Sequence, residues 1–174
     1  MDNLASATLR LRPVEEADAS FILSLRLDAN LNQHLSAVEN DLSKQIDWIR
    51  SYKIRETRGA EYYFIVESLR GESYGTVRVY DFRGDSFSWG SWVLRPGTPL
   101  FVALETAIAI YDFGFGPLGF ERSHFDVRKA NRGVTRFHER FGARRTGEDE
   151  LNFYYELTKA EYLRARDRYS RVLE

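Results

Sequence analysis

Residues Glu121 to Gly142 read E-R-S-H-F-D-V-R-K-A-N-R-G-V-T-R-F-H-E-R-F-G, and the period of the pattern changes halfway along. In the first half, His124, Asp126 and Arg128 alternate with Phe125 and Val127, the period of two expected of a strand. Asn131 follows, a residue type whose side-chain oxygen accepts from the free amides of a helix's first turn. Val134, Phe137, His138 and Phe141 then recur at helical spacing, and Gly142 suits the position just past a helix end. The stretch is therefore strand, short turn, short amphipathic helix and glycine. A similar unit precedes it, with a strand over Ser86–Leu94 and a helix over Leu100–Phe115. Two consecutive strand–helix units predict a partly parallel sheet with helices packed on it, an α+β (α/β) chain.

The rest of the sequence supports one domain over residues 1–174. With 43% hydrophobic and 29% charged residues the composition is that of a globular protein, and the 14% aromatic share predicts an aromatic-rich core or pocket. The net charge of −1 argues against general binding to nucleic acid or to an acidic membrane. The chain has no cysteine, so disulfides, thiolate metal sites and a cysteine nucleophile are excluded together. Three scattered histidines argue against a histidine-built metal site. The start of the chain lacks the pattern of a signal peptide and no apolar run approaches a membrane span, so a cytoplasmic protein is expected.

Ahead of the opening stretch, Leu9–Arg12 alternates as a short strand stopped by Pro13. A helix follows to about Leu27, with Glu15, Glu16 and Asp18 in its first turn, where the helix dipole favours negative charge. Residues 28–40 are polar and irregular. A second helix is expected from Ser43, read as its N-cap. Glu61–Ser68 is apolar on both faces and predicts a central strand. Tyr74–Phe82 is the next strand. In Ser86–Leu94 the count breaks at Gly90, a signal of a bulge or a close approach. Thr98 is expected to cap the following helix, with Pro99 at its first position. Asn152–Thr158 reads as a last strand and Lys159–Leu173 as a terminal, mostly solvent-facing helix.

The order and spacing of five segments resemble the GNAT superfamily of acyl-CoA N-acyltransferases over nearly the whole chain. They are L-R-L-R-P-V-E-E-A-D-A (9–19), Y-Y-F-I-V-E with Y-G-T-V-R-V, V-L-R-P (93–96), A-L-E-T-A (103–107) and N-R-G-V-T-R-F-H-E-R-F-G-A (131–143). The resemblance implies a mixed, mostly antiparallel sheet of six to seven strands flanked by helices. It implies acetyl-CoA as cosubstrate, with no metal, and transfer of the acetyl group to a primary amine. In that family the cofactor arm lies between the strands matching Ser86–Leu94 and Ser123–Arg128, which places it against Trp92, Val93 and Arg95. The pyrophosphate belongs at the start of the next helix, at Leu100 and Phe101. Here Pro99 and Phe101 stand where the family pattern has glycine. Asn131 matches an asparagine that contacts the cofactor arm, and is also an ordinary N-cap. Arg132, Arg136 and Arg140 share a helix face near where the adenosine phosphates emerge.

His138 matches the position at which many members carry a tyrosine that returns a proton to the leaving thiolate, a role open to an imidazole titrating near ~6.5. It also shares an apolar stripe, which a core histidine would. His124 and Asp126 share one side of their strand and are read as solvent-facing or structural, and Glu105 as a structural hydrogen-bond acceptor. The segment after the first helix resembles that of Rim-type protein acetyltransferases, and more closely that of N-acetyltransferases acting on nucleotide-linked amino sugars in surface-polysaccharide biosynthesis. On that likeness Arg26, Asn30 and His34 would hold the acceptor and Trp89 would stack on a sugar ring. The other readings are a protein N-terminal acetyltransferase and a binding protein that keeps the fold without using acetyl-CoA. A homodimer is among the assemblies expected.

Overall fold

A computed structural model describes residues 3–6, 8–33 and 37–173. Its strands are β1 (Leu4–Ala5), β2 (Leu9–Pro13), β3 (Tyr62–Ser68), β4 (Ser73–Arg83), β5 (Ser86–Leu94), β6 (Arg122–Arg128), β7 (Arg144–Glu148) and β8 (Asn152–Thr158). The helices are α1 (Ala19–Leu27), α2 (Leu42–Thr57), α3 (Leu100–Phe115), α4 (Arg132–Phe141) and α5 (Lys159–Leu173). The eight strands form one sheet in the order β1-β2-β3-β4-β5-β6-β8-β7. Every pairing is antiparallel except β5 with β6.

Eight strands are slightly more than the expected six to seven, and the two that the sequence reading did not place, β1 and β7, lie at the sheet's edges. Strand β1 is two residues long, too short to show a period. Strand β7, R-R-T-G-E, is polar and largely exposed, so no apolar alternation announced it. Short or charged edges also discourage pairing with another chain.

Two apolar cores cover the two faces. On one, Val14, Ala19, Ile22, Ile49, Tyr52, Tyr63 and Ile65 seat α1 and α2. On the other, Phe87, Trp89, Tyr111, Phe113, Phe125, Phe141, Tyr155 and Tyr162 belong to a larger aromatic core built from the sheet with α3, α4 and α5. Helix α5 is mostly solvent-facing along its described residues, as expected, and seats a narrow apolar stripe in this core. Tyr162 and Ala165 are fully buried, and the Tyr162 hydroxyl donates to Asp112 Oδ1 at 2.7 Å.

Two expected helix starts differ. The N-cap of α2 is Asp41, which accepts from Ser43 N and Lys44 N and also from the Ser43 hydroxyl. A carboxylate holds two first-turn amides there better than a hydroxyl can. Thr98 does not cap α3. Its hydroxyl donates back to Arg95 O at 2.7 Å and closes the preceding turn, leaving Pro99 as the boundary residue. Asn131 does cap α4, accepting from Val134 N at 3.4 Å, and Gly142 ends that helix at φ 105°.

Candidate active site

Strand β5 touches β6 only through the pairs Ser86–Arg122 and Phe87–Ser123, and beyond them the two strands diverge. Hydrophobic burial alone would keep them together, since Phe87 and Phe125 both enter the core. A bulge in β5 prevents it. Thr76 pairs with Val93 and Arg78 with Gly90, so Ser91 and Trp92 together face one residue of β4. Ser91 sits at φ 46°, an uncommon conformation for a residue other than glycine, and its carbonyl accepts from the Thr76 hydroxyl at 3.1 Å. The closed end is pinned by Ser86 Oγ to His124 Nδ1 at 2.7 Å, with His124 Nε2 3.3 Å from Asp81 Oδ2.

The wedge between β5 and β6 holds a cavity of about 370 Å³. Its walls come from α1 (Arg26) and the following Leu31, β4 (Tyr80), the bulge (Trp89 to Trp92), β6 (Phe125 to Arg128), α4 with its cap (Asn131, Val134, His138) and β8 (Asn152). It adjoins a second cavity of about 280 Å³, with which it shares Arg26 and Ser91 and to which Trp48, Tyr63 and Arg78 also contribute. Several polar atoms in the first cavity's walls are buried yet unpartnered: Trp92 Nε1, His138 Nδ1 and Asn152 Oδ1. Buried polar groups are normally satisfied, so their concentration in one wall marks a place prepared for a ligand.

His138 is 5% exposed, lies over Phe125 at 4.2 Å between ring centres and meets Trp89 edge-on at 5.3 Å. Burial among these rings lowers its pKa to about 3, so it is a neutral imidazole at physiological pH. Burial raises the Tyr80 phenol above its ordinary value, so it too is neutral there. Asp126 is the one carboxylate among the residues lining the first cavity, against two guanidiniums, Arg26 and Arg128. Among the described residues no group of three or more His, Cys, Asp or Glu side chains is arranged to hold a metal ion.

The family model for the acetyltransferase (GNAT) domain matches residues 8–144. A solved structure described as apo FdhC, a nucleotide-linked sugar GNAT, is 44% identical over 99% of both chains, with a TM-score of 0.90. The chain belongs to the GNAT acetyltransferase family. It is an N-acetyltransferase of that fold. At lower identity the likeness is one of fold alone. The spermidine N-acetyltransferase of Vibrio cholerae in complex with CoA and spermine is 18% identical, covering 91% of this chain and 99% of that one at a TM-score of 0.79. A GNAT-family acetyltransferase from Bacillus anthracis is 17% identical over 91% and 99% of the chains, at 0.76. No curated protein matches the chain by sequence.

With the GNAT fold established, the expected site residues separate. Trp89, Trp92, Asn131, His138 and Arg26 meet in the first cavity. Trp89 is nonetheless a wall and not a stacking platform: it is 5% exposed, and its ring packs against Trp92, Tyr111 and His138. Val93 is buried and paired with Thr76. The backbone N–H of Arg95 donates to Tyr74 O at 2.8 Å and its guanidinium pairs with Glu72, so neither is turned toward the wedge. The reason is that β5 regains its pairing with β4 after the bulge. Strand alternation then aims the amide of Leu94, not that of Arg95, at the β6 side. Leu100 and Phe101 stand at the first turn of α3 with side chains 95% and 41% exposed. Asn30 is exposed and its N–H closes a turn onto Asp28 Oδ1, while its neighbour Leu31 reaches the cavity. His34 lies outside the described residues. Glu105 is 4% exposed and accepts from the hydroxyls of Ser6 and Thr8, tying α3 to the first strands.

Sequence reasoning missed Tyr80, Ser91 and Asn152. Each lies on a strand where polar alternation reads as solvent exposure, and only the divergence of β5 from β6 makes that face a cavity.

Proposed function

We propose that this GNAT enzyme transfers an acetyl group from acetyl-CoA to the amine of a nucleotide-linked amino sugar. The observation that carries the reading is the 44% identity, over 99% of both chains, to a structure described as a nucleotide-linked sugar GNAT. The cavities support it. Two guanidiniums and one carboxylate in the first cavity favour an acceptor with one ammonium and several phosphate charges over a polyamine. The adjoining cavity adds room beyond a small amine.

The cofactor fits the wedge as well. The β5 edge facing β6 has no strand partner beyond Phe87, so its backbone can pair with an extended arm. The unpartnered Trp92 Nε1 and the Asn131 cap border the same space. At the pyrophosphate end Pro99 has no N–H, but the first amides of α3 and its dipole remain.

When bound, acetyl-CoA supplies the electrophilic thioester carbonyl. The acceptor enters as an ammonium and gives one proton to water, and its nitrogen lone pair attacks that carbon. A C–N bond forms, the C–S bond breaks, and the second nitrogen proton ends on sulfur. His138 is assigned the last transfer: the proton shed by the attacking nitrogen reaches a ring nitrogen through water, and the ring passes a proton to sulfur. With a pKa near 3, the imidazolium would exist only in passing. The second acceptor class, a protein N-terminus, has no comparable observation in its favour.

The test is thiol release from acetyl-CoA with UDP- and dTDP-linked 3-amino- and 4-amino-6-deoxyhexoses, beside spermidine and N-terminal peptides. Turnover with at least one nucleotide-linked amino sugar, exceeding that with spermidine and the peptides, is expected. Turnover with spermidine or a peptide alone would overturn the reading.

A further inference from the structure

The face of β6 that carries His124, Asp126 and Arg128 lies opposite the face packed under His138, because Phe125 and Val127 alternate with them. Cross-strand partners extend that face onto β8: Glu156 beside His124, Tyr154 beside Asp126 and Asn152 beside Arg128. Toward the closed end its charges are neutralised. Arg122 pairs with Asp85 and Glu156, and His124 is held by Ser86 and Asp81. Tyr154 donates to Asp149, 2.5 Å away. Asp126 and Arg128 break the series, since no hydrogen bond or ion pair engages either side chain among the described residues. Both line the cavity, and Asn152, paired with Arg128, presents its unpartnered Oδ1 there.

We infer that Asp126 and Arg128 read the two charged ends of the acceptor: Asp126 holds the ammonium and Arg128 a phosphate oxygen of the nucleotide. The inference rests on the reading of the acceptor as a nucleotide-linked amino sugar. Two residues along a strand are about 6.7 Å apart, a span comparable to one hexose ring with its amine on one side and its phosphate on the other. A guanidinium suits the phosphate end because its planar fork meets two oxygens at once. The carboxylate lies beside the diverging strands, where the thioester carbonyl must come, so the amine it holds is already beside its target. Asn152 Oδ1 is left to accept from a ring hydroxyl. An uncharged amine-bearing sugar would lack the Arg128 contact, and a polyamine would meet that guanidinium with its own positive charge.

The inference separates two kinetic effects. Asp126→Asn is expected to raise the acceptor KM at least tenfold, with acetyl-CoA affinity unchanged, and Asp126→Glu to recover part of the loss. Arg128→Gln is expected to weaken competitive inhibition by free UDP or dTDP against the acceptor at least tenfold, while Asp126→Asn leaves that inhibition within twofold of wild type. Circular dichroism and acetyl-CoA titration of each variant exclude misfolding. Acceptor kinetics of Asp126→Asn within twofold of wild type would overturn the amine assignment. Unchanged nucleotide inhibition in Arg128→Gln would overturn the phosphate assignment. A wild-type enzyme that acetylates spermidine but none of the nucleotide-linked sugars would overturn the acceptor reading itself, and this inference with it. Activity on those sugars with unaltered variants would overturn this inference alone.

Discussion

His138 shows how one side chain can be correctly placed by sequence and wrongly charged by it. Helical spacing puts it on the apolar stripe of α4, and the stripe faces Trp89 and Phe125. Those rings remove water, and desolvation lowers its pKa from 6.5 to about 3. The unfolded chain therefore takes up a proton near pH 6.5 that the folded site refuses until about pH 3. This stability is fully present above pH 6.5 and is lost as pH falls toward 3. Near pH 5 the loss is roughly 2 kcal/mol. His138→Phe should accordingly be less acid-labile than wild type: comparing pH 7 with pH 5, its urea midpoint should fall by less. It should also turn over more slowly at unchanged acetyl-CoA affinity. An equal fall in both midpoints would show that the imidazole is charged in the folded protein, and unchanged turnover would remove it from the mechanism. Asp126 is the opposite case. Its alternation with Phe125 and Val127 correctly predicts an exposed side chain, but solvent at that point is the inside of the wedge cavity.

At the scale of elements, the wedge depends on how closely α3 approaches β5. Gly114 is the contact: a Cβ there would lie 2.2 Å from Phe87 Cζ and 2.4 Å from Cε1. Phe87 is fully buried and forms one of the two parallel pairs at the closed end. Gly114→Ala should cost about 1–3 kcal/mol by overpacking, and Phe87→Leu in that background should restore part of it, as a double-mutant cycle by urea denaturation would measure. Additive effects would show that the helix does not rest on this ring. The elements themselves were largely legible. Strands β2 to β6 and β8, all five helices and the glycine end of α4 follow from period, capping residues and turns. The edge strands β1 and β7 were not, because two residues carry no period and R-R-T-G-E carries no apolar face.

For the whole molecule, the proposed cofactor site joins parts that are distant in sequence: the bulge of β5, the start of α3 and the cap of α4. A ligand spanning them should stabilise the folded chain by mass action, by about 2.7 kcal/mol at a hundredfold excess over Kd. For a chain of this size that is a rise in Tm of several degrees. Acetyl-CoA is expected to produce this shift in calorimetry, and Pro99→Gly, which adds a backbone N–H at the start of α3, is expected to enlarge it. No shift with acetyl-CoA in millimolar excess would mean that Pro99 and Phe101 close the pyrophosphate site in this GNAT.

What the sequence determined by itself was local: which segments are strands, which helices, and which face of each is apolar. Those properties follow from neighbours within a few residues, through alternation, 3.6-residue spacing and capping chemistry. Room for a cofactor arm between β5 and β6 was expected from family resemblance, and a bulge or close approach from the break at Gly90. The walls of that space were decided only by the tertiary structure. A two-against-one mismatch between β5 and β4 turns Arg95 away from the wedge and leaves the β5 edge open. It also encloses Tyr80, Asp126, Arg128 and Asn152, from three different strands, in one cavity with His138. No spacing along the chain records that meeting, because it is set by where two sheet neighbours part company.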